Sequence, residues 1–142
     1  MQQLLSYSVS GLCIAEIVLS ILGHGIDLVD VEEVATLLTL SDDFLNRCFT
    51  NLERELLAAI SANAERVAAR FAAKEAVLKA LGKGFGNGFS FLDIEVLNLP
   101  SGAPYVVLHG PTRELSDSIG VSRWLVSLSH DGGKAIASVI AT

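Results

Sequence analysis

Arg70-Phe71-Ala72-Ala73-Lys74-Glu75-Ala76-Val77-Leu78-Lys79-Ala80-Leu81-Gly82 is the stretch whose reading decides the fold. Asn63 can cap a helix over Ala64 to Leu81, and Gly82 can end it. At about 100° per residue, Val67, Phe71 and Leu78 form an apolar stripe, while Arg66, Arg70 and Lys74 form a basic one. Seven alanines (Ala64, Ala68, Ala69, Ala72, Ala73, Ala76, Ala80) fill the rest and let neighbouring backbone come close. A helix of this kind is central, contacted on most sides. Glu75 lies beside the apolar stripe and needs a partner, since an unpaired buried carboxylate is costly. Lys79, four residues on, can be that partner in an ordinary helical pair worth about 0.2–0.5 kcal/mol. The helix then runs into Gly82-Lys83-Gly84-Phe85-Gly86-Asn87-Gly88. A carboxylate that can hold a hard cation, with a lysine and loop amides that can hold phosphate oxygens, points to metal-assisted phosphate chemistry.

Upstream, Ile17 to Val29 reads as a strand broken at Gly23-His24-Gly25. Asp30 to Leu40 has helical spacing, with Val31, Val34, Leu37 and Leu38 on one side. Thr50-Asn51-Leu52-Glu53 matches a capping box that starts a helix running to about Ile60. Downstream the chain is β-rich. Phe89 to Leu97 alternates as a strand, Asn98 to Gly102 is a turn, and Tyr105 to His109 is the partner strand. Thr112 can cap a short helix ending at Gly120. Val121 to Ser129 and Ala135 to Ala141 are strands joined by the turn His130-Asp131-Gly132-Gly133. The order β-α-α-α-β-β-α-β-β predicts an α+β domain with a mainly antiparallel sheet around a long Ala-rich helix.

Composition excludes several classes. With 142 residues and 51% hydrophobic, the chain is one domain with material for a core. No run approaches the ~18–20 apolar residues of a membrane span; Gly11 to Gly23 is interrupted by Glu16 and Ser20. No Lys or Arg precedes Arg47, so the positive start of a secretory signal is missing. Cys13 and Cys48 lack paired spacing, which fits reduced thiols and a cytoplasmic location. A net charge of -6 argues against nucleic-acid binding. The charge is uneven: seven acidic and no basic residues lie between Met1 and Asn46, but five basic residues face Glu75 alone from Arg66 to Lys83. That basic segment is either a local anion site or a solvated helix face. Gly84-x-Gly86-x-Gly88 follows a helix, so it is no dinucleotide fingerprint, and Gly82-Lys83-Gly84 lacks the Ser or Thr of a P-loop. Ser127 and Ser129 lack a His–Asp relay, so a hydrolase triad is unsupported.

Three blocks, in order, resemble holo-[acyl-carrier-protein] synthases, small phosphopantetheinyl transferases. They are Gly23-His24-Gly25-Ile26-Asp27-Leu28-Val29, then Arg70 to Gly82 continuing to Phe89-Ser90-Phe91-Leu92-Asp93-Ile94-Glu95-Val96, and last Val126-Ser127-Leu128-Ser129-His130-Asp131. The resemblance implies that residues 18–142 are one phosphopantetheinyl transferase domain and residues 1–17 an N-terminal extension. It implies transfer of 4′-phosphopantetheine from coenzyme A to a serine of an apo acyl carrier protein, with release of 3′,5′-ADP, in fatty acid biosynthesis. It further implies Mg²⁺ held by Asp27 and Glu75, a usual carboxylate count for this ion, and Lys79 at the departing phosphate. The base is either Glu75 or a metal-bound water. Arg70, Gly84, Gly86 and His130 match positions near the nucleotide end of coenzyme A, and a homotrimer with sites between subunits is implied. Asp27 also has a plainer reading, as a strand end or helix cap. A non-catalytic scaffold binding carrier protein or coenzyme A is the alternative; retention of Asp27, Glu75 and Lys79 argues against it. The chain departs from the family pattern after Asp27: where relatives carry arginines toward an acidic carrier, it has Asp30, Glu32, Glu33, Asp42 and Asp43.

Overall fold

The computed structural model describes residues 20–60, 63–84 and 86–142. The proposed extension, residues 1–17, and the start of the expected first strand lie outside the described residues. The chain order is β1 (Gly23–Asp30), α1 (Val31–Leu40), α2 (Asp43–Cys48), α3 (Asn51–Ala59), α4 (Ala64–Ala80), β2 (Ile94–Asn98), β3 (Pro104–Leu108), α5 (Gly110–Ser118), β4 (Trp124–Asp131) and β5 (Lys134–Ala141). All pairing is antiparallel: one sheet has the order β1-β5-β4 and the other pairs β2 with β3. This is the expected α+β architecture.

Helix α4 is the centre. Asn63 caps it, accepting from the Arg66 amide at 3.1 Å, and ten of its side chains are buried. It packs against β1, β5 and β4. Contrary to the break expected at Gly23-His24-Gly25, β1 runs unbroken through both glycines. They are where strand and helix touch. A Cβ on Gly25 would stand 1.8 Å from the Ala76 carbonyl oxygen, and one on Gly23 would stand 2.1 Å from that of Ala80. The glycines of one element and the alanines of the other therefore interlock, backbone on backbone. Because side chains alternate along a strand, Asp27 follows Gly23 and Gly25 on the face turned toward α4.

Lys74 corrects the expected basic stripe. It is wholly buried, its Nζ donating to Glu53 Oε2 at 2.6 Å, Ile94 O at 2.5 Å and Phe91 O at 3.0 Å. Glu53 does two jobs: it completes the capping box with Thr50, and it accepts from Lys74 and from the Val96 amide at 2.8 Å. This buried cross-link ties α3, α4 and β2 together.

Other boundaries moved for local reasons. Ser90 and Asp93 form their own capping box over a 3-10 turn at Phe91–Asp93, so the strand starts at Ile94 and not at Phe89. Helix α5 begins two residues before Thr112, because Pro111 fits a first helical turn, where its missing amide costs nothing. Thr112 is buried instead and reaches Asp93 at 3.4 Å. Val121 still closes α5, donating to Ser116 O at 3.0 Å, so β4 starts at Trp124. His130 and Asp131 belong to β4, leaving Gly132 and Gly133 as a two-residue hairpin whose φ values of +55° and +76° suit glycine. On α1, Val34 faces inward, but Leu37 is exposed. Helix α2, six residues long, is too short for periodicity to have revealed.

Candidate active site

Asp27, distant in sequence, meets Glu75 and Lys79 on one flank of α4. The Lys79 ammonium donates to Asp27 Oδ1 at 2.7 Å and to the Ile26 carbonyl at 3.1 Å. The expected Glu75–Lys79 pair is not formed; Lys79 turns across to the strand. The Asp27 side chain is 15% exposed and that of Lys79 52%, so the corner opens to solvent on the lysine side. Glu75 is half-buried and has no hydrogen-bond partner among the described residues. Burial pushes its carboxyl above the usual carboxylate range, the nearby Asp27 charge pushes the same way, and Lys79 only partly opposes them. Two carboxylates against one ammonium leave a net negative charge.

That imbalance is what a divalent cation relieves. Among the described residues no three His, Cys, Asp or Glu side chains cluster as a self-sufficient metal cage. Two carboxylates without a third protein ligand suit Mg²⁺, which keeps waters and takes substrate phosphate oxygens. The residues present therefore fit this ion.

Arg70 and His130 line one groove on the other flank. Arg70 donates to Asn98 Oδ1 at 2.5 Å and to Arg66 O at 3.3 Å. Burial lowers its pKa below the ordinary value, with Glu53 opposing and Arg66 reinforcing the shift, yet a guanidinium remains charged. His130 Nδ1 stands 3.5 Å from Glu65 Oε2. These groups line a groove of about 570 Å³ whose polar wall is Arg66, Arg70, Asn98 and His130, and whose apolar wall includes Leu56, Ile60 and Leu128. A cationic wall facing an apolar one suits an anion attached to a flat ring. Arg66 belongs to the basic stripe of the sequence but was not assigned to the nucleotide, and Asn98 read there as a turn residue.

Within one chain the two halves do not merge. The sheet register places His130 opposite Ala135 and Asp27 opposite Ala137, on strands either side of β5. Two inter-strand steps make about 10 Å, with α4 lying between. The glycine loop keeps with the Lys79 end. Gly84 follows the C-terminus of α4, and Gly86 accepts from the Phe89 amide at 3.1 Å; neither lines the groove. Cys48 is buried and free, its thiol pushed up to about 11 chiefly by burial, so it is not a nucleophile.

Residues 23–138 match the family model described as the 4′-phosphopantetheinyl transferase superfamily, and the chain belongs to that superfamily. It is similar to the holo-[acyl-carrier-protein] synthase of Alkaliphilus oremlandii, with 38% identity over 119 residues covering 84% of this chain and 97% of that one. The synthase of an Anaeromyxobacter species is 45% identical over 124 residues, covering 84% and 94%. Among solved structures, the synthase of Neisseria meningitidis superposes with a TM-score of 0.78 at 30% identity, covering 87% of this chain and 99% of that one. The Helicobacter pylori synthase in complex with coenzyme A gives 0.74 at 33%, covering 84% and 99%. The chain is thus an enzyme of the holo-[acyl-carrier-protein] synthase class. Among the described residues, no helix is long and apolar enough to cross a membrane.

Proposed function

We propose that this chain transfers the 4′-phosphopantetheine of coenzyme A to a serine hydroxyl of an apo acyl carrier protein, the activating step for fatty acid biosynthesis. The observation that carries this reading is the unneutralised pair Asp27 and Glu75 beside Lys79. In the reaction the serine oxygen bonds to the phosphorus next to the pantetheine arm. The bond from that phosphorus to the bridging oxygen breaks, and 3′,5′-ADP leaves. The serine proton goes to Glu75, whose carboxyl burial holds above the usual carboxylate range, or to water beside it. Lys79, already at the corner, neutralises the charge that builds on the departing diphosphate oxygen. Asp27 and Glu75 would hold Mg²⁺, which supplies charge neutralisation on the phosphate oxygens. Such transfers depend on positioning and electrostatics more than on covalent help.

Arg70 and His130, with Arg66 and Asn98 beside them, hold the nucleotide end, and the Gly84–Gly86 loop holds phosphate. In support, the Helicobacter pylori relative was solved with coenzyme A. The two halves lie on opposite flanks of α4, which favours a homotrimer whose sites form between subunits. The outward face of the three-stranded sheet supports this. Ile26, Leu28 and Leu125 are 51%, 61% and 40% exposed on it, and among the described residues β1 is an edge strand. Sedimentation of the purified chain at micromolar concentration tests the assembly, and a monomer refutes it. For the transfer itself, 3′,5′-ADP release must require both an apo carrier and Mg²⁺. Release without a carrier would make the chain a hydrolase.

A further inference from the structure

Granted the transferase reading above, the turn between β2 and β3 decides how Arg70 faces the nucleotide. Asn98 ends β2 and pairs with Pro104 of β3. The turn between them is tight. The Gly102 amide donates to Leu99 O at 2.8 Å, the Leu99 amide donates to Ala103 O at 2.9 Å, and Gly102 takes φ +88°, which suits glycine. The Asn98 side chain joins in, its Nδ2 donating to Gly102 O at 2.8 Å. Its Oδ1 accepts from the Arg70 guanidinium at 2.5 Å. These two neighbours fix which way the amide lies. A carbonyl only accepts and a guanidinium only donates, so Nδ2 must meet Gly102 and Oδ1 must meet Arg70. Aspartate would lack the donor, and leucine would lack both.

Arg70 stands on α4 and also donates to Arg66 O, one turn back, at 3.3 Å. Its fork is therefore held at two points, one on the helix and one on the turn. A guanidinium carries more N–H groups than these two bonds use. The rest have no acceptor among the described residues, and the side chain lines the groove. An arginine fixed only on binding loses much rotamer freedom at that moment, whereas one fixed beforehand loses little. Asn98 is exposed and uncharged, so it adds no attraction for an anion of its own. We propose that Asn98 is a positioning residue for the nucleotide site. It holds Arg70 in the orientation in which the uncommitted N–H groups meet phosphate oxygens of the nucleotide, and it acts through Arg70, not on the nucleotide. The β2–β3 turn thereby belongs to the binding site.

The test is a double-mutant cycle on the full chain. Calorimetry measures binding of 3′,5′-ADP, which carries the nucleotide end alone, to the intact chain, Asn98→Ala, Arg70→Ala and the double variant. Steady-state rates with coenzyme A and an apo carrier, and thermal melts, accompany it. Asn98→Ala should weaken 3′,5′-ADP binding about ten-fold and raise KM for coenzyme A by a similar factor, while kcat changes by less than about two-fold. The double variant should bind no worse than Arg70→Ala, because a residue that acts only through Arg70 then has nothing left to position. Asn98→Ser suits a turn but is too short to span both partners, and it should behave as Asn98→Ala does, which covers an alanine variant that melts early. Intact affinity in Asn98→Ala and Asn98→Ser overturns the positioning role and leaves the transferase reading standing. So does a further loss of binding when Asn98→Ala is added to Arg70→Ala, or undiminished binding in Arg70→Ala itself. If the intact chain binds neither 3′,5′-ADP nor coenzyme A, the transferase reading fails and the proposal with it.

Discussion

Replacing Lys74 by Met separates two readings of the basic helix. The change keeps the length of the side chain but removes one ammonium. That group donates to Glu53 Oε2, Phe91 O and Ile94 O at 2.6, 3.0 and 2.5 Å, and it sits 5.0 Å from the centre of the Phe49 ring. Both partners of the ion pair are 0% exposed, so no water takes over. Glu53 would keep the Thr50 and Val96 amides but lose its ion-pair partner. Breaking a buried pair from one side costs about 3–5 kcal/mol. For a chain of this size that lowers Tm by roughly 10–15 °C. Denaturant unfolding of wild type, Lys74→Met and Lys74→Met/Glu53→Gln measures it. The double variant should recover part of the loss, because a neutral amide oxygen can still accept from Val96 without leaving a buried charge. A loss below about 1 kcal/mol, the range of exposed ion pairs, with weakened coenzyme A binding, would refute the reasoning and return Lys74 to the anion site.

Four further outcomes follow from the corner and from the packing beneath it. Asp27→Ala and Glu75→Gln should each abolish transfer, yet Glu75→Gln should raise Tm slightly, since this carboxylate has no partner and is repelled by Asp27; calorimetry beside activity checks both. The same shift has a pH consequence: folding raises the Glu75 pKa, so the unfolded chain gives up that proton first. Metal-free stability therefore falls as pH rises from the ordinary glutamate value through the raised one, and Glu75→Gln should lack that fall. Lys79→Met should lower kcat more than it raises KM. It should also tighten Mn²⁺ binding several-fold by paramagnetic titration, because Lys79 occupies Asp27 at 2.7 Å. Gly25→Ala should destabilise the chain and cut kcat, because its Cβ would lie 1.8 Å from backbone that cannot yield; circular dichroism melts and steady-state rates would show it.

Much of the fold was legible because it rests on local chemistry. The caps at Asn63 and Thr50, and the alanine content of α4, fixed two helices that the structure keeps. What was not legible depends on tertiary contact. Lys74 lies one turn after Arg70, and nothing local says that Glu53 and two carbonyls bury it. Gly23 and Gly25 look like strand breakers until the Ala76 and Ala80 carbonyls are seen against them. The site divided the same way. Glu75 and Lys79 stood out on the helix and Asp27 came through the family resemblance, and the structure brings the three together; Arg70 and His130 line one groove. The pairing of Lys79 with Asp27, and the separation of the Gly84–Gly86 loop from the groove, follow from how β1 lies on α4 and could not be read along the chain.

The measurement closest to the central claim is the mass of an apo acyl carrier protein after incubation with this chain, coenzyme A and Mg²⁺. The expected result is a gain equal to one phosphopantetheine on the carrier serine, matched mole for mole by 3′,5′-ADP, and lost in Asp27→Ala and with chelator. An unmodified carrier, while coenzyme A demonstrably binds, would contradict that claim.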